Sequence, residues 1–372
     1  MYLVDDVEQL LLSHGLLSDR SILFGDYEAT TINRRNRNLI VTTLHEGDYL
    51  IKQSDGTNED SLNSLRTEIE FYQAATKISS GLSALIPECH VAQQTPPLLV
   101  IEYYKSYIPL WKHYKNLTGN KLPLTVIHKV GELLANTHSE LSRLDDRERQ
   151  LFGFLHEDLP FGMRVNKPHT KILSYIKQGG YQLIEKLQSD KEAMLAWDRL
   201  SDSWQINSII HGDVKLDNFI VKTLDGNDHQ ELESIRIVDW EMAQSGDYLW
   251  DVAGVFNDLV FWWAISMPDN SSIKEMVENA RFPISEIKEG TGSFLQGYAE
   301  IRGRGYVDTQ SILDKLVGYS GIRIIQTSYE IASKFDAIPN IAMILFNVGT
   351  GILRNPQAAF SDLFGLSAGS AS

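Results

Sequence analysis

Ser208-Ile209-Ile210-His211-Gly212-Asp213-Val214-Lys215-Leu216-Asp217-Asn218-Phe219-Ile220-Val221 is the stretch that decides the reading of this 372-residue chain. Apolar runs flank a polar centre, the pattern of a loop held between two short strands. The chain then turns through Asp225-Gly226-Asn227-Asp228 and returns along Ile235-Arg236-Ile237-Val238 to Asp239-Trp240-Glu241. Asp213 and Asn218 therefore share one loop, and an adjacent hairpin delivers Asp239. Phosphoryl transfer asks for a carboxylate near the attacking hydroxyl and for oxygen ligands that hold magnesium against the phosphates. The loop and the hairpin contain that set.

His-Gly-Asp-x-x-x-x-Asn followed by Asp-Trp-Glu resembles the aminoglycoside phosphotransferase and choline kinase-like families, relatives of the protein kinases, whose signature runs in the same order. The resemblance implies that Asp213 is the catalytic base and that Lys215 meets the transferred phosphate. It makes Asn218 and Asp239 the magnesium ligands and His211 a brace for the loop. Gly246-Asp247-Tyr248-Leu249-Trp250-Asp251-Val252-Ala253 also fits, with Asp251 anchoring the loop from a following helix. The implied fold is α+β and two-lobed, protein kinase-like. A small antiparallel-sheet N-lobe would span residues 1–103, and a larger, mostly helical C-lobe residues 104–372. The implied enzyme is a small-molecule kinase that moves the γ-phosphate of ATP, with GTP possible, to a hydroxyl group.

Composition bounds the classes without choosing among them. The chain is 43% hydrophobic and 22% charged, an ordinary globular mixture with ample apolar material for large cores. The only cysteine, Cys89, excludes an internal disulfide and a zinc-cysteine cluster and fits a reducing, cytoplasmic setting. Met1-Tyr2-Leu3-Val4-Asp5-Asp6 lacks the basic region and long apolar core of a signal peptide. The apolar stretch Leu259–Met267 is too short to span a bilayer, so no membrane partner is expected. A formal charge of −15 opposes nonspecific nucleic-acid binding and favours cationic partners. Oligomeric state is left open.

Along the chain, Val4, Val7, Leu10 and Leu11 recur at helical spacing, with His14-Gly15 as the stop. Strand-like runs follow at Ser21–Phe24, Tyr27–Thr31, Leu39–Leu44 and Tyr49–Gln53, the last two joined by Glu46-Gly47-Asp48. A helix is expected over Ser61–Lys77 and a strand over Leu98–Glu102. Beyond Tyr104 the pattern is helical apart from the hairpins around Asp213 and Asp239. Ser367–Ser372 has the composition of a frayed end.

Tyr49-Leu50-Ile51-Lys52 resembles the kinase strand whose lysine holds the nucleotide phosphates. On the next helix Leu65, Ile69 and Tyr72 form an inward stripe, and Glu68 falls within it. A carboxylate on a buried face needs a partner, and Lys52 is the candidate; otherwise both are ordinary surface charges. Leu98-Leu99-Val100-Ile101-Glu102-Tyr103 resembles the strand entering the interlobe hinge, where adenine would meet backbone near Glu102 and Tyr103. The phosphate-covering turn, Ile32-Asn33-Arg34-Arg35-Asn36-Arg37-Asn38, departs from the protein-kinase pattern because it has no glycine. Its arginines either contact phosphates by side chain or form a solvated basic turn.

The acceptor site is expected from helices flanking the catalytic loop, within Leu151–Trp204 and after Asp251. Glu241, Asp247 and Asp258 are candidate carboxylates for an amine-bearing acceptor. Phe256, Phe261, Trp262 and Trp263 are either aromatic faces for that cation or plain core. His138, in Leu133-Leu134-Ala135-Asn136-Thr137-His138, reads as a packing residue. The rival from another class is a catalytically silent binding or scaffold protein of the same fold. A protein kinase is disfavoured, since neither Asp-Phe-Gly at Asp239 nor a following Ala-Pro-Glu segment is present.

Overall fold

Alternation along two neighbouring strands builds the N-lobe. β3 (Tyr49–Gln53) turns Tyr49 and Ile51 to one face of the sheet, into an apolar cluster with Leu39, Val41, Leu98 and Val100. Its other face carries Leu50 and Lys52 toward the interior cleft. β5 (Pro97–Glu102) pairs antiparallel to β3 with Lys52 opposite Leu99, so Leu99 and Ile101 share the Lys52 face. The computed structural model describes residues 7–33, 37–54, 58–78, 81–116, 120–224, 231–269, 272–307 and 309–366. The centre of the arginine-rich turn, the turn 225–228 and the tail 367–372 lie outside these residues.

The sheet has five antiparallel strands in the order β1-β2-β3-β5-β4, with β1 Tyr27–Asn33, β2 Arg37–Thr43 and β4 Cys89–Gln94. The helix Val7–Ser13 buries Val7, Leu10 and Leu11 in the outer cluster. The helix Glu59–Ala75 covers the opposite face, capped by Asn58, whose side chain accepts from the amides of Asp60 and Ser61. Glu68 lies fully within the buried stripe of this helix, beside Leu65, Ile69 and Tyr72.

One expectation is corrected, and one strand was not expected. Ser21–Phe24 is not a strand but the body of the helix Asp19–Phe24. Ser18 caps its start, and Gly25 ends it in the left-handed region at φ 67°. Three apolar residues after Ser21 carry no periodicity that separates the two forms. β4 was missed because His90, Gln93 and Gln94 hide its alternation; it lies at the sheet edge, where polar side chains meet solvent.

β5 ends at Glu102, and the next strand, β6 (Ile108–Pro109), pairs with β8 (Phe219–Thr223), which pairs with β9 (Leu232–Ile237). β7 (Ser208–Ile210) pairs with β10 (Gln244–Gly246). Around these ribbons stand long helices: Leu124–Ser142, Tyr248–Ile265, Ser285–Arg302, Gln310–Ala332 and Asn340–Arg354. One continuous apolar core runs from Leu65 and Phe71 of the N-lobe helix to these C-lobe helices. The arrangement is the two-lobed α+β fold expected from the sequence. No helix among the described residues is long and apolar enough to cross a membrane.

Candidate active site

The loop from His211 to Asn218 is shaped from beneath by buried side chains that take up its backbone polar groups one by one. Asp251 Oδ2 accepts from the His211 amide at 2.7 Å, and Oδ1 from the Gly212 amide at 2.9 Å. Trp250 Nε1 donates to the Gly212 carbonyl at 3.2 Å, and Asp258 Oδ2 accepts from the Leu216 amide at 2.5 Å. Buried backbone groups left without partners cost stability, so these side chains fix the loop's path. Gly212 sits at φ 79°, and a Cβ there would lie 2.2 Å from the Met242 carbonyl oxygen. Both facts require glycine.

The loop exposes Asp213 to the cleft. Lys215 Nζ lies 2.5 Å from Asp213 Oδ2, and Asn218 Nδ2 donates to the Asp213 carbonyl at 2.9 Å. That bond turns Asn218 Oδ1 to the free side of the amide, as an oxygen donor at the cleft wall. His211 Nε2 meets the Val238 carbonyl at 2.9 Å, and its Nδ1 receives the Asp213 amide at 3.3 Å. One ring thereby ties the Asp213 loop to the strand that ends at Asp239.

Asp239 is the only non-glycine residue at positive φ (72°) among the described residues. This backbone is costly for a side chain larger than hydrogen and persists only when its surroundings hold it. Trp240 supplies the hold: it stacks on Phe71 at 4.0 Å with an interplanar angle of 8°. Phe71 lies one turn after Glu68, so the same helix places both groups. Lys52 Nζ contacts Glu68 at 2.8 Å and Asp239 Oδ1 at 2.6 Å, linking strand, helix and hairpin. Burial works against the Lys52 ammonium, but the two carboxylates outweigh it and raise its pKa. Burial pushes Glu68 up to about 7 against the pull of Lys52. Burial would also raise Asp239, but the Lys52 charge and hydrogen bond hold it down at about 2, with smaller help from His211 and Lys215.

These groups share one cleft of about 1110 Å³. Lys52, Glu102, Tyr103, Asp213, Lys215, Asn218, Asp239 and Glu241 all line it; Glu68 stands behind Lys52. Its far end is walled by Phe161, Arg164 and Tyr175 and by Arg323, Gln326 and Glu330 of the helix Gln310–Ala332.

The structure corrects two acceptor candidates. Asp247 is fully buried; it caps the helix Tyr248–Ile265 through the Leu249 amide and pairs with Lys315 at 2.5 Å. Asp258 lies under the catalytic loop and does not reach the cleft. Asp247 occupies an N-cap, where a carboxylate serves the helix and not a ligand. Phe256, Phe261, Trp262 and Trp263 pack in the core, and none of them lines the cleft. His138 is buried, with Nε2 3.1 Å from Asp251 Oδ2 and Nδ1 2.8 Å from the Tyr298 hydroxyl. Burial lowers its pKa despite Asp251, so the neutral ring serves as a strut behind Asp251.

Sequence reading missed Arg323 and Glu330. They are 110 or more positions beyond Asp213 in a helix with no motif. The signal available was a charged residue, Arg323, inside the apolar run Gly321-Ile322-Arg323-Ile324-Ile325.

Asp258 gives a prediction about stability. Burial pushes its carboxyl up to about 8, against the attraction of Arg323. The folded chain therefore keeps a proton that the unfolded chain releases near pH 4. Its contribution to stability is complete below about pH 4 and is lost as pH rises through about 8. Asp258→Asn retains an oxygen for the Leu216 amide and has no charge to bury. Its stability advantage over the wild type should grow between about pH 4 and 8 and then level off. Urea unfolding across that range checks it; a difference that does not change with pH would refute the burial argument.

A carboxylate and an ammonium on one loop, oxygen donors just before β8 and just after β9 and a buried lysine-glutamate pair behind a strand fit a two-lobed small-molecule phosphotransferase acting on hydroxyl groups. Residues 28–280 match the phosphotransferase enzyme family (APH), more than half of the chain, and the protein belongs to that family. Solved structures share the fold at low identity. A choline kinase from Cryptosporidium parvum Iowa II aligns with TM-score 0.53 and 13% identity, covering 95% of this chain and 96% of its own. The choline kinase LicA from Streptococcus pneumoniae gives 0.51 and 16%, covering 93% and 97%. The amicoumacin kinase hAmiN, in complex with AMP-PNP, Ca2+ and Ami, gives 0.51 and 10%, covering 96% and 98%. No curated protein sequence matches the chain.

Proposed function

We propose that the protein transfers the γ-phosphate of ATP, or of GTP, to a hydroxyl of a small amine-bearing acceptor, with Asp213 as the base. The observation that carries this reading is the convergence of Lys52, Asp213, Asn218 and Asp239 on one cleft from segments 187 residues apart. A divalent cation fits the site by the chemistry of its donors: a carboxylate held ionised at Asp239 and an amide oxygen at Asn218. Magnesium bound there would neutralise charge on the phosphate oxygens. The amicoumacin kinase of the same fold is in complex with AMP-PNP and Ca2+, which supports use of a nucleotide and a divalent metal.

Lys52, charged and held by Glu68, would orient the phosphates, while Glu102 and Tyr103 would meet the base at the end of β5. Asp213 would accept the proton of the acceptor hydroxyl, and Lys215 would meet the moving phosphoryl group. The Lys215 ammonium is held charged, since Asp213 outweighs its burial. Lys52→Ala should misplace the phosphates and lower kcat/KM by about 10²-fold. Glu68→Ala should do the same more mildly, because Asp239 still holds the lysine. Titration calorimetry with Mg-ATP checks both; unchanged affinity and turnover in both variants would move the nucleotide elsewhere.

Glu241 and Glu330 are among the carboxylates that line the cleft, and they would meet a cationic group on the acceptor. Arg164 and Lys334 on the same wall would discourage a polycation and select a singly charged amine with further polar groups. ADP release across matched cationic and neutral hydroxyl acceptors, at low and high salt, tests this. A cationic acceptor should be preferred, with the preference shrinking as salt screens the exposed carboxylates. Preference for neutral acceptors at every salt concentration would leave only the phosphotransferase assignment.

A further inference from the structure

Arg323 reaches the catalytic loop from a helix that contributes nothing to the signature motifs. Its side chain is 5% exposed. Nη2 donates to the Val214 carbonyl at 2.9 Å and lies 3.9 Å from Asp213 Oδ1. Nη1 donates to Gln326 Oε1 at 3.0 Å, and Gln326 Nε2 donates to Glu330 Oε1 at 2.8 Å. The Trp250 ring lies 5.2 Å from the guanidinium carbon. On the other side a Cβ at Gly162 would come within 2.1 Å of Gln326 Oε1, so only glycine leaves room for this amide. Arg323, Gln326 and Glu330 stand at i, i+3 and i+7 and face the same cleft.

A buried guanidinium is costly unless paired, and Arg323 faces two carboxylates: Asp258 beneath the loop, whose pKa its charge lowers, and Asp213, the residue read as the base. Asp213 consequently has a cation on each side: Lys215 Nζ touches Oδ2 at 2.5 Å, while Arg323 faces Oδ1 at 3.9 Å, beyond hydrogen-bond length, and makes its bond to the loop at the Val214 carbonyl. The two grips differ in stiffness. Lys215 is 41% exposed on a flexible stem, whereas Arg323 is packed between Trp250, Gln326 and the loop backbone. A planar fork held at two points loses less freedom per bond than an ammonium. Arg323 therefore supplies the rigid hold, through the backbone beside Asp213, and Lys215 the mobile one, on the carboxylate itself.

We propose that Arg323 is a positioning residue for Asp213: it sets the carboxylate against the acceptor hydroxyl and, through Gln326, fixes Glu330 at the acceptor end of the same cleft. This rests on the reading of Asp213 as the base. A misplacement of about 1 Å at a reacting group costs about 10²-fold in rate. Glu330, spaced from the base by this relay, would place the acceptor's cation while Asp213 takes its proton.

The test uses the whole chain with Mg-ATP and water as the phosphoryl acceptor, read as release of inorganic phosphate. Arg323→Lys keeps the buried charge but cannot serve Val214 and Gln326 together. It should lower kcat by about 10²-fold. The KM for Mg-ATP, the Kd for Mg-AMP-PNP by calorimetry and the melting temperature should stay near wild-type values. Arg323→Ala should regain at least about tenfold when millimolar guanidinium ion is supplied, and less with methylammonium, which lacks the planar fork. Gln326→Leu, which spares the charge, should lower kcat while the fold is kept, and stands in if the Arg323 variants do not fold. Unchanged kcat in Arg323→Lys and Gln326→Leu overturns the proposal. So does a loss of kcat matched by an equal loss of nucleotide affinity, which marks a strut for the fold. A wild-type chain that binds Mg-AMP-PNP but transfers phosphate neither to water nor to any acceptor of the cationic and neutral panel overturns the proposed activity itself.

Discussion

Asp213→Asn is expected to lower phosphoryl transfer by about 10²–10⁴-fold, the range for loss of a general base. The substitution keeps the volume and leaves an oxygen for Lys215, which now contacts Asp213 Oδ2 at 2.5 Å. It cannot take a proton from the acceptor. The loop itself should keep its path, because its amides are held by Asp251 and Asp258 and its carbonyls by Trp250 and Arg323. Nucleotide affinity should survive for the same reason. The deciding comparison is single-turnover transfer against Mg-AMP-PNP affinity. Near-normal turnover in Asp213→Asn would remove this residue from the chemistry, and loss of both quantities together would point to a collapsed loop.

Asp239→Ala is expected to abolish turnover and tight binding of the metal-nucleotide complex together. The residue offers a carboxylate on the cleft wall that its surroundings hold ionised to about pH 2. A divalent cation bound through oxygen ligands loses most from the removal of a charged one. The loss has a second part, because Lys52 would keep only Glu68 as a partner. Alanine also accepts φ 72° poorly, so the Trp240 stack on Phe71 should loosen. Asp239→Asn separates these effects: it tolerates the backbone and retains an oxygen, but lacks the charge. Calorimetric titration of ATP with and without magnesium is the measurement. An affinity for Mg-ATP that persists in both variants would place the metal elsewhere.

The site was legible where its residues are close in sequence. Asp213, Lys215 and Asn218 share one loop, and Asp239 follows on the next hairpin, so spacing alone brought them together. Glu68 was legible through helical periodicity, which put a carboxylate among Leu65, Ile69 and Tyr72 and so demanded a cation. The acceptor wall was not. Asp247 and Asp258 read as cleft residues because they are acidic and near Asp239 in the chain. Their burial depends on how the helix Tyr248–Ile265 is rotated beneath the loop, which places Asp247 at its N-cap and turns Asp258 toward the Leu216 amide. Short elements behaved in the same way. Ser21–Phe24 formed a helix because Ser18 and Gly25 close its ends, a matter of caps that a four-residue run does not reveal.

By itself the sequence determined the two-lobed fold and the polar groups of the catalytic loop, because strand alternation, helical stripes and motif spacing are local and repeat along the chain. Only the tertiary structure decided that Arg323 stands 3.9 Å from Asp213 and that Glu330, not Asp247 or Asp258, lines the cleft. The physical reason is distance along the chain. No spacing rule links residues 110 positions apart, and their meeting is set by how the long helices pack against one core.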